Sequence, residues 1–385
     1  MIVNIIILSI GILIISIFTT IAGIGGGGII IPYLTLIGGY KLTEAIPLSI
    51  CCIFFDCLIR NIYLYKKTVP RHPKRYLMNL SPGLLISPSD AMTSWIGVIM
   101  SRVLPSGITL IFVIAILLFS FIKTFINGYK TLKTEKNIKL NNSLDNYIII
   151  DGIEVYIDKD DLIEPTKPNG ETIMDRISSL FLVLLSIITA GIFSFSKPDI
   201  CTIEYWYFLI GFIIIIIGIL LINVVYVKNK YNYRRNNEFD FISSDFKYNN
   251  IMIFKLIVSS MFTGAISTYL GIGGGMLINP LLLNLGMAPH IIIASTAVTT
   301  FFSSMISLLN YIASAKLLFT EAGFFGITSM VGSYIGILIT NIILKKYQNQ
   351  YILIFFTCLI LFVSLVALVS NSIFLGVDFN FTSIC

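Results

Sequence analysis

Residues 23–32 read Gly-Ile-Gly-Gly-Gly-Gly-Ile-Ile-Ile-Pro, and residues 271–280 read Gly-Ile-Gly-Gly-Gly-Met-Leu-Ile-Asn-Pro. The two stretches stand 248 positions apart (271 − 23) and keep the same spacing from first glycine to proline. Each follows one long apolar run and precedes another, so each glycine cluster is predicted to lie at or within a membrane. A duplicated glycine break in a hydrophobic chain is typical of a transporter substrate site.

Composition places the chain among membrane proteins. Of its 385 residues, 56% are hydrophobic and 12% are charged, whereas a soluble domain carries about 25% charged residues. The net charge of +6 does not indicate nucleic-acid binding, because the cations sit in short loops beside apolar spans. The six cysteines form no Cys-x-x-Cys pair, which favours free thiols packed in helices over a metal or redox site. No cofactor and no metal are expected.

Several apolar stretches reach the roughly 20 residues that a helix needs to cross a bilayer. Two segments of roughly 11 residues, 28–38 and 276–286, follow the glycine motifs, and each covers only about half a bilayer. They either re-enter the membrane or cross it if the glycines continue the helix. The predicted spans are 2–22, 43–64, 77–100, 107–127, 176–196, 205–227, 251–270, 290–312, 321–344 and 350–370.

Lysines and arginines predict the orientation. The basic stretches 65–76, 128–175 and 228–250 are expected to be cytoplasmic. If Lys345 and Lys346, after the ninth span, are also cytoplasmic, the short segments cross and the two halves have opposite orientations. If the short segments re-enter, the halves are parallel. The inverted arrangement is favoured, so the predicted fold class is all-α, a polytopic membrane bundle of two internal repeats with glycine-broken helices.

The middle of the chain interrupts the repeat. Residues 146–157 are apolar around an Asp-Gly dipeptide, which is typical of a two-residue turn and predicts a small cytoplasmic β-hairpin. The two spans before residue 228 carry no glycine motif and are interpreted as an inserted pair. The predicted organisation is a first repeat at 1–127, a cytoplasmic loop at 128–175, the inserted pair at 176–227, a second loop at 228–250, a second repeat at 251–370 and a tail at 371–385.

The glycine clusters are the strongest candidates for a binding site. A helix that restarts after a break presents unpaired N–H groups and the positive end of its dipole, which suits an anion. Two such ends facing each other would hold an oxyanion without a buried lysine or arginine. The alternative is close helix packing through small residues, and the duplication favours the site. A phosphate-binding loop is excluded because no Gly-Lys-Ser/Thr follows either cluster.

Polar residues inside the spans supply further candidates. The stretch Ala294-Ser-Thr-Ala-Val-Thr-Thr300 offers hydroxyls that either bind substrate or contact other helices. Asp56 and Arg60 lie four apart on one helix and can pair, although Arg60 alternatively snorkels to the interface. Asp90 lies in a span expected to be broken at Pro82, and it is a gate, a proton site or a loop residue.

This pattern resembles the TauE/SafE family of sulfite and organosulfonate exporters. The resemblance covers about 1–127 and 251–370, and it is strongest at Ala294-Ser-Thr and from Gly323 to Gly336. The intervening loops and spans are similar to those of the longer eukaryotic members. The resemblance implies membrane transport of small sulfur-containing anions. Pro47 stands where the family usually offers a hydroxyl, and residues 81–90 lack its small-residue pattern, so the two halves are expected to contribute unequally.

The sequence therefore predicts an integral, multi-pass membrane transporter that moves a small anion, such as sulfite or a sulfonate, by alternating access. An anion channel and a non-transporting membrane scaffold are the alternatives, and an enzyme is not expected. The expected partners are a small anionic substrate and the lipid bilayer, without nucleic acid, and a homo-oligomer is left open. The candidate substrate-binding residues are Gly25, Gly26, Gly27, Gly28, Pro32, Gly273, Gly274, Gly275, Asn279, Pro280, Ser295 and Thr296, and the candidates for a gate or a coupling site are Asp56, Arg60 and Asp90.

Overall fold

A computed structural model gives the architecture of most of the chain. It describes residues 2–22, 26–69, 72–76, 78–140, 147–150, 153–156, 173–196, 198, 202–236, 248–284, 289–314, 317–347 and parts of 355–370. Its helices are α1 (Ile2–Ala22), α2 (Gly27–Leu36), α3 (Leu42–Leu64), α4 (Ser81–Val103), α5 (Ser106–Leu140), α6 (Ile173–Ser196), α7 (Ile203–Asn236), α8 (Asn250–Leu270), α9 (Gly275–Asn284), α10 (Pro289–Ala313) and α11 (Phe319–Tyr347).

Among the described residues, seven helices are long and apolar enough to cross a membrane: α3, α5, α6, α7, α8, α10 and α11. Shorter apolar stretches occupy α1 (Ile5–Ile21) and all of α2. Long apolar faces of α6 and α7 are exposed, which is what a lipid-facing surface requires. The protein is therefore an integral, multi-pass membrane protein.

Helix α4 packs against α6, α7, α8 and α10, and this position explains its serine-rich sequence. A helix surrounded by other helices can carry hydroxyls, because they find partners on its neighbours or on its own carbonyls. Ser87, for example, lies 2.8 Å from the Ser186 hydroxyl on α6. The apolar α4 residues Leu84, Leu85 and Ile86 belong to a core shared with α6, α7 and α10.

The expected break of this span at Pro82 is wrong. Pro82 lies in the first turn of α4, where its missing N–H has no intrahelical partner to lose. Pro88 lies inside the helix and removes the hydrogen bond to the Leu84 carbonyl. The side-chain amide of Asn223 on α7 donates to that carbonyl at 2.8 Å. The helix therefore continues through Pro88 because α7 replaces the missing donor.

Two helices run further than the sequence predicts. Helix α5 continues to Leu140, into the predicted loop 128–175, and α7 continues to Asn236, into the predicted loop 228–250. The extension of α5 contains lysines, Glu135 and two leucines, which are good helix formers, and neither extension contains a proline. Charged residues begin where the apolar spans end, but the two helices continue past them.

Two short antiparallel ribbons lie between helices. In the first, β1 (Thr68–Val69) pairs with β2 (His72–Tyr76), within a stretch predicted only as a basic loop. In the second, β3 (Tyr147–Ile150) pairs with β4 (Ile153–Tyr156), and Ile150 lies opposite Ile153. The side of the membrane on which β3 and β4 lie stays a prediction.

The bundle is held together by contacts between helices that are distant in sequence. Helix α1 packs on α11, and α4 packs on α8, while α3 lies against both α10 and α11. Glycines permit close approach in two of these contacts. A Cβ on Gly336 would lie 2.7 Å from the Ile17 carbonyl oxygen on α1, and one on Gly97 would lie 2.7 Å from the Tyr269 nitrogen on α8.

Candidate anion site at the glycine motifs

Each glycine motif ends in a ten-residue helix that begins at the same motif position. Helix α2 begins at Gly27 and α9 begins at Gly275. In α2 the first carbonyl acceptor is that of Gly26, which receives the N–H groups of Ile29 and Ile30, both at 3.1 Å. In α9 the Gly274 carbonyl receives the two equivalent N–H groups, at 3.1 and 2.9 Å. Both helices thus leave the N–H groups of their first two residues outside the internal hydrogen-bond ladder.

The break before α9 requires glycine. Gly271 ends α8 with φ 65°, and Gly273 has φ 79°, a left-handed region that other residues adopt only with strain. The Gly271 carbonyl accepts a hydrogen bond from the Ser49 hydroxyl of α3 at 2.8 Å. The second break is therefore fixed by a contact with the first half of the chain.

The two motifs touch through their backbones. A Cβ on Gly27 would lie within 2.8 Å of the carbonyl carbon and Cα of Ile272, and closer still to the Gly271 carbonyl oxygen. A Cβ on Gly28 would lie 3.1 Å from the Met276 methyl carbon. The first residues of α2 thus contact the second break, although the two motifs are 248 residues apart in sequence.

The motif glycines have two kinds of surroundings. Gly27 meets backbone, and Gly275 lies directly against the Thr300 hydroxyl, so both serve close packing. At Gly26 and Gly274 an added Cβ would instead lie 3.1 Å from a hydroxyl oxygen, that of Thr19 and of Ser303 respectively. The packing interpretation therefore fits Gly27 and Gly275, whereas a binding role for Gly26 and Gly274 stays a prediction.

Pro32 has a structural role in α2. It lies inside the helix, so the Gly28 carbonyl loses its intrahelical donor. The Ser364 hydroxyl, from the last described segment, donates to that carbonyl. The corresponding Pro280, with Asn279, lies within α9, and the side chains of both are outside the described part of the structure. Gly25 is also outside the described residues.

The hydroxyls that contact the start of α9 come from α10, but further along the helix than Ser295 and Thr296. Both predicted residues are buried, and the Ser295 hydroxyl has no hydrogen-bond partner among the described residues. Thr300 and Ser303 are the α10 side chains that face Gly275 and Gly274. Sequence reasoning missed Ser303, which lies one turn beyond the quoted hydroxyl stretch, because helical periodicity alone does not say which turn reaches the break.

Asp56 and Arg60 form a buried ion pair on α3, with 3.8 Å between Oδ2 and an arginine nitrogen. Only 2% of Asp56 and 6% of Arg60 is exposed, so Arg60 does not reach solvent. The Thr20 hydroxyl of α1 donates to Asp56 Oδ1 at 2.8 Å, and it also lies 2.9 Å from the Ser333 hydroxyl of α11. The pair therefore joins three helices of the bundle.

Asp90 lies inside α4 and is 1% exposed, so it is not a loop residue. A Cβ on Gly264 of α8 would lie 2.7 Å from its Cα, and the Ser303 hydroxyl faces its carboxylate. Neither carboxylate oxygen accepts a well-formed hydrogen bond from the residues that the structure describes. Asp56 and Asp90 thus differ in their surroundings, since among the described residues Asp56 has a cation beside it and Asp90 has none.

The fold and these contacts define a polytopic α-helical membrane protein whose two broken helices meet through duplicated glycine motifs. The chain belongs to the TauE/SafE family, since the family described as "Sulfite exporter TauE/SafE" matches residues 174–368, just over half of the chain. This membership makes the protein a membrane transporter.

Full-length relatives extend the similarity across nearly the whole chain. This chain is 26% identical to "Sulfite exporter TauE/SafE family protein 1" of Arabidopsis thaliana over 380 residues, which is 91% of this chain and 80% of that protein. It is 25% identical to family protein 2 of the same plant, over 92% of this chain and 80% of that protein. No solved structure matches the chain.

Proposed function

We propose that this protein carries a small oxyanion of the sulfite or sulfonate class across the membrane by alternating access, with the anion held at the starts of α2 and α9. The observation that carries the proposal is the backbone contact between the two glycine motifs, which brings both helix starts to one place. The names of the relatives, which call those proteins sulfite exporters, supply the substrate class.

The physical basis is the field at a helix start. The free N–H groups and the aligned peptide dipoles act as about half a positive charge, which favours a bound anion. Thr19 lies beside Gly26, and Thr300 and Ser303 lie beside Gly275 and Gly274, so each start has at least one hydroxyl next to it. Main-chain and hydroxyl donors can hold an oxyanion inside a membrane without the cost of an isolated buried cation.

Two internal repeats are supported by an exchange of helix partners. Gly336 of α11 approaches Ile17 and Thr20 of α1, and Gly97 of α4 approaches Ala265 and Thr268 of α8. The α1 and α8 residues are each 248 positions apart, the offset of the glycine motifs. The first helix of each half thus packs on the fourth helix of the other half, which is the contact pattern that a two-fold relation produces.

The directions of equivalent helices favour the inverted arrangement. Helices α3 and α10 follow the two motifs, and Asn61 near the end of α3 donates to the Ala297 carbonyl near the start of α10 at 3.0 Å. Phe54 stacks on Phe301, and Ile50 packs near Tyr311. Later residues of α3 therefore contact earlier residues of α10, so the two helices are antiparallel. Equivalent helices that are antiparallel belong to halves of opposite orientation, and such repeats permit alternating access by rocking.

Transport measured in proteoliposomes tests the proposal. Gly274→Ala adds a methyl whose nearest neighbours are the ends of two side chains, Ser303 Oγ at 3.1 Å and Ile278 Cδ1 at 3.3 Å, so the fold should survive. Counterflow of a labelled sulfonate should fall about tenfold, the effect of losing roughly 1.4 kcal/mol of binding. Gly323→Ala on α11 is the matched control, because nothing lies within 4 Å of its added Cβ. Equal counterflow by Gly274→Ala and wild type would remove the start of α9 from the site.

A further inference from the structure

Asp90 is a buried acid that the packing of its helix does not explain. It is 1% exposed, its carboxylate oxygens accept no well-formed hydrogen bond from the described residues, and no described lysine, arginine or histidine nitrogen lies within 4.0 Å of them. A charged side chain inside a membrane is costly unless it is paired, and acids kept there mark ion pathways and proton relays.

The carboxylate lies one side chain away from the start of α9. Ser303 of α10 lies near both: its hydroxyl is close to the Asp90 carboxylate, and its Oγ would lie 3.1 Å from a Cβ on Gly274. The carbonyl of Gly274 is the first acceptor in α9. A negative charge on Asp90 would therefore oppose an anion at this helix start, and its neutralisation would favour the anion.

The other half of the chain shows that the fold does not need an acid here. Gly97 and Gly336 make equivalent contacts and are 239 positions apart, and the same offset relates Asp90 to Ser329. Ser329 donates to the Cys52 carbonyl at 3.0 Å and accepts a hydrogen bond from Ser16 at 3.0 Å. A serine with ordinary hydrogen bonds thus suffices at this position of the bundle.

Asp56, the other acid inside the membrane, already has partners that stabilise its negative charge. Asp56 has Arg60 at 3.8 Å and accepts a hydrogen bond from Thr20. Asp90 has neither a cation nor a well-formed hydrogen bond among the described residues. Both acids belong to the first half of the chain, and of the two it is Asp90, near α9, that lacks a compensating group among the described residues.

The helices that pack against α4 bring no competing titratable group beside Asp90 in the described part of the chain. On α8, Lys255 is exposed and the Tyr269 hydroxyl lies 2.8 Å from that of Thr109; on α10, the Tyr311 hydroxyl donates to the Thr268 carbonyl. The titratable groups of α6 and α7 lie near the helix ends and are Asp175, Arg176, Glu204, Tyr205, Tyr207, Tyr226, Lys228, Lys230, Tyr231, Tyr233, Arg234 and Arg235.

We propose that Asp90 is a proton-binding site, and that one proton moves with each anion bound at the start of α9. An O–H bond forms between a carboxylate oxygen and a proton from water on one side of the membrane, while the anion occupies the site. The same bond breaks and releases the proton to water on the other side as the anion leaves. A monovalent anion and one proton then cross together without net charge movement. This inference rests on the function proposed above.

Methanesulfonate is a suitable probe, because it keeps one negative charge as the pH changes, so a pH effect reports on the protein. In proteoliposomes, an imposed proton gradient should drive accumulation of labelled methanesulfonate by the wild type. Asp90→Asn should keep methanesulfonate counterflow but lose this accumulation. Asp90→Ser, which introduces the residue found at the equivalent position of α11, should behave in the same way and guards against a folding defect of one variant. Glu204→Gln, an exposed acid on α7, is the control that should accumulate normally.

A second readout follows the proton itself. Infrared difference spectra of the purified protein across a pH step should show the carbonyl stretch of a protonated carboxylic acid, and Asp90→Asn and Asp90→Ser should lack it. Gradient-driven accumulation by both variants, wild-type counterflow without gradient-driven accumulation, or a band that persists in both variants would each overturn the proton site and leave the transport function standing. Absence of counterflow by the wild type would overturn the sulfonate function and the coupling that rests on it.

Discussion

Replacing Gly27 by alanine should damage this protein more than any comparable change at a lipid-facing glycine. The added Cβ would lie 2.8 Å from two backbone atoms of Ile272 and closer still to the Gly271 carbonyl oxygen. An ordinary van der Waals contact begins at 3.4 Å, so the backbones must separate by at least 0.6 Å (3.4 − 2.8). Neither partner is a flexible side chain that could move aside.

The cost can be worked from two terms. Overpacking a well-packed site costs about 1–3 kcal/mol. The Gly271 carbonyl also accepts the Ser49 hydrogen bond at 2.8 Å. If the carbonyl shifts, loss of this bond costs roughly another 1 kcal/mol of stability. The total, about 2–4 kcal/mol, is a large share of the 5–15 kcal/mol that stabilises a typical protein. The strain falls where the two motifs meet, so transport should fall with stability.

The assay is thermal unfolding of the detergent-solubilised protein, followed by the loss of its monodisperse peak on size exclusion, together with counterflow in proteoliposomes. Gly27→Ala should lower the apparent melting temperature by several degrees and abolish most counterflow. Gly218→Ala on α7 is the matched control, since nothing lies within 4 Å of its Cβ, and alanine in a helix interior is neutral or stabilising by up to about 1 kcal/mol. A Gly27→Ala protein that melts and transports like the wild type would refute the backbone contact between the motifs.

Three further predictions concern an ion pair, a helix–helix hydrogen bond and the orientation of the two halves. Arg60→Ala leaves Asp56 buried without its cation and should cost about 3–5 kcal/mol of stability; adding Asp56→Asn should recover part of the melting temperature, and no recovery would speak against the ion pair. Asn223→Leu removes the donor that replaces the missing Pro88 N–H and should cost about 1–3 kcal/mol. Pro88→Ala should suppress that loss by restoring the intrahelical bond, and additive effects of the two changes would contradict this coupling. Residues 380–382 read Asn-Phe-Thr, which is a glycosylation sequon. If the halves are inverted, the C-terminus lies outside and a glycan at Asn380 is expected in a eukaryotic membrane system; an unused sequon in a correctly inserted protein would favour parallel halves.

Much of the architecture was predictable because it depends on local sequence. The predicted spans at 2–22 and 251–270 match α1 and α8 closely, since long apolar runs must form helices in lipid. The duplicated motif also predicted two short helices after the glycines, because a glycine break followed by an apolar segment can be recognised within ten residues of sequence. Helix ends were less predictable: α5 and α7 continue past the charges that mark the membrane boundary.

The site was predictable only in outline. The sequence pointed to the glycine motifs and to Asp56, Arg60 and Asp90, but it could not separate glycines that pack, such as Gly27, from glycines that face hydroxyls, such as Gly274. It also treated the acids as similar candidates. Their difference comes from neighbours that are remote in sequence, since Thr20 reaches Asp56 from another helix and Gly264 approaches Asp90 from α8.

The sequence by itself therefore determined the class of protein, the helical spans and the existence of two related glycine breaks, because hydrophobic length and backbone freedom are properties of short segments. Tertiary structure alone decided that the start of α2 touches the second break, that Ser364 and Asn223 supply the donors lost to Pro32 and Pro88, and that Asp90 lies near the start of α9 without a cation beside it in the described part of the chain. Inside a membrane each polar group must find its partner within the protein, and only the packed bundle decides which remote residue that partner is.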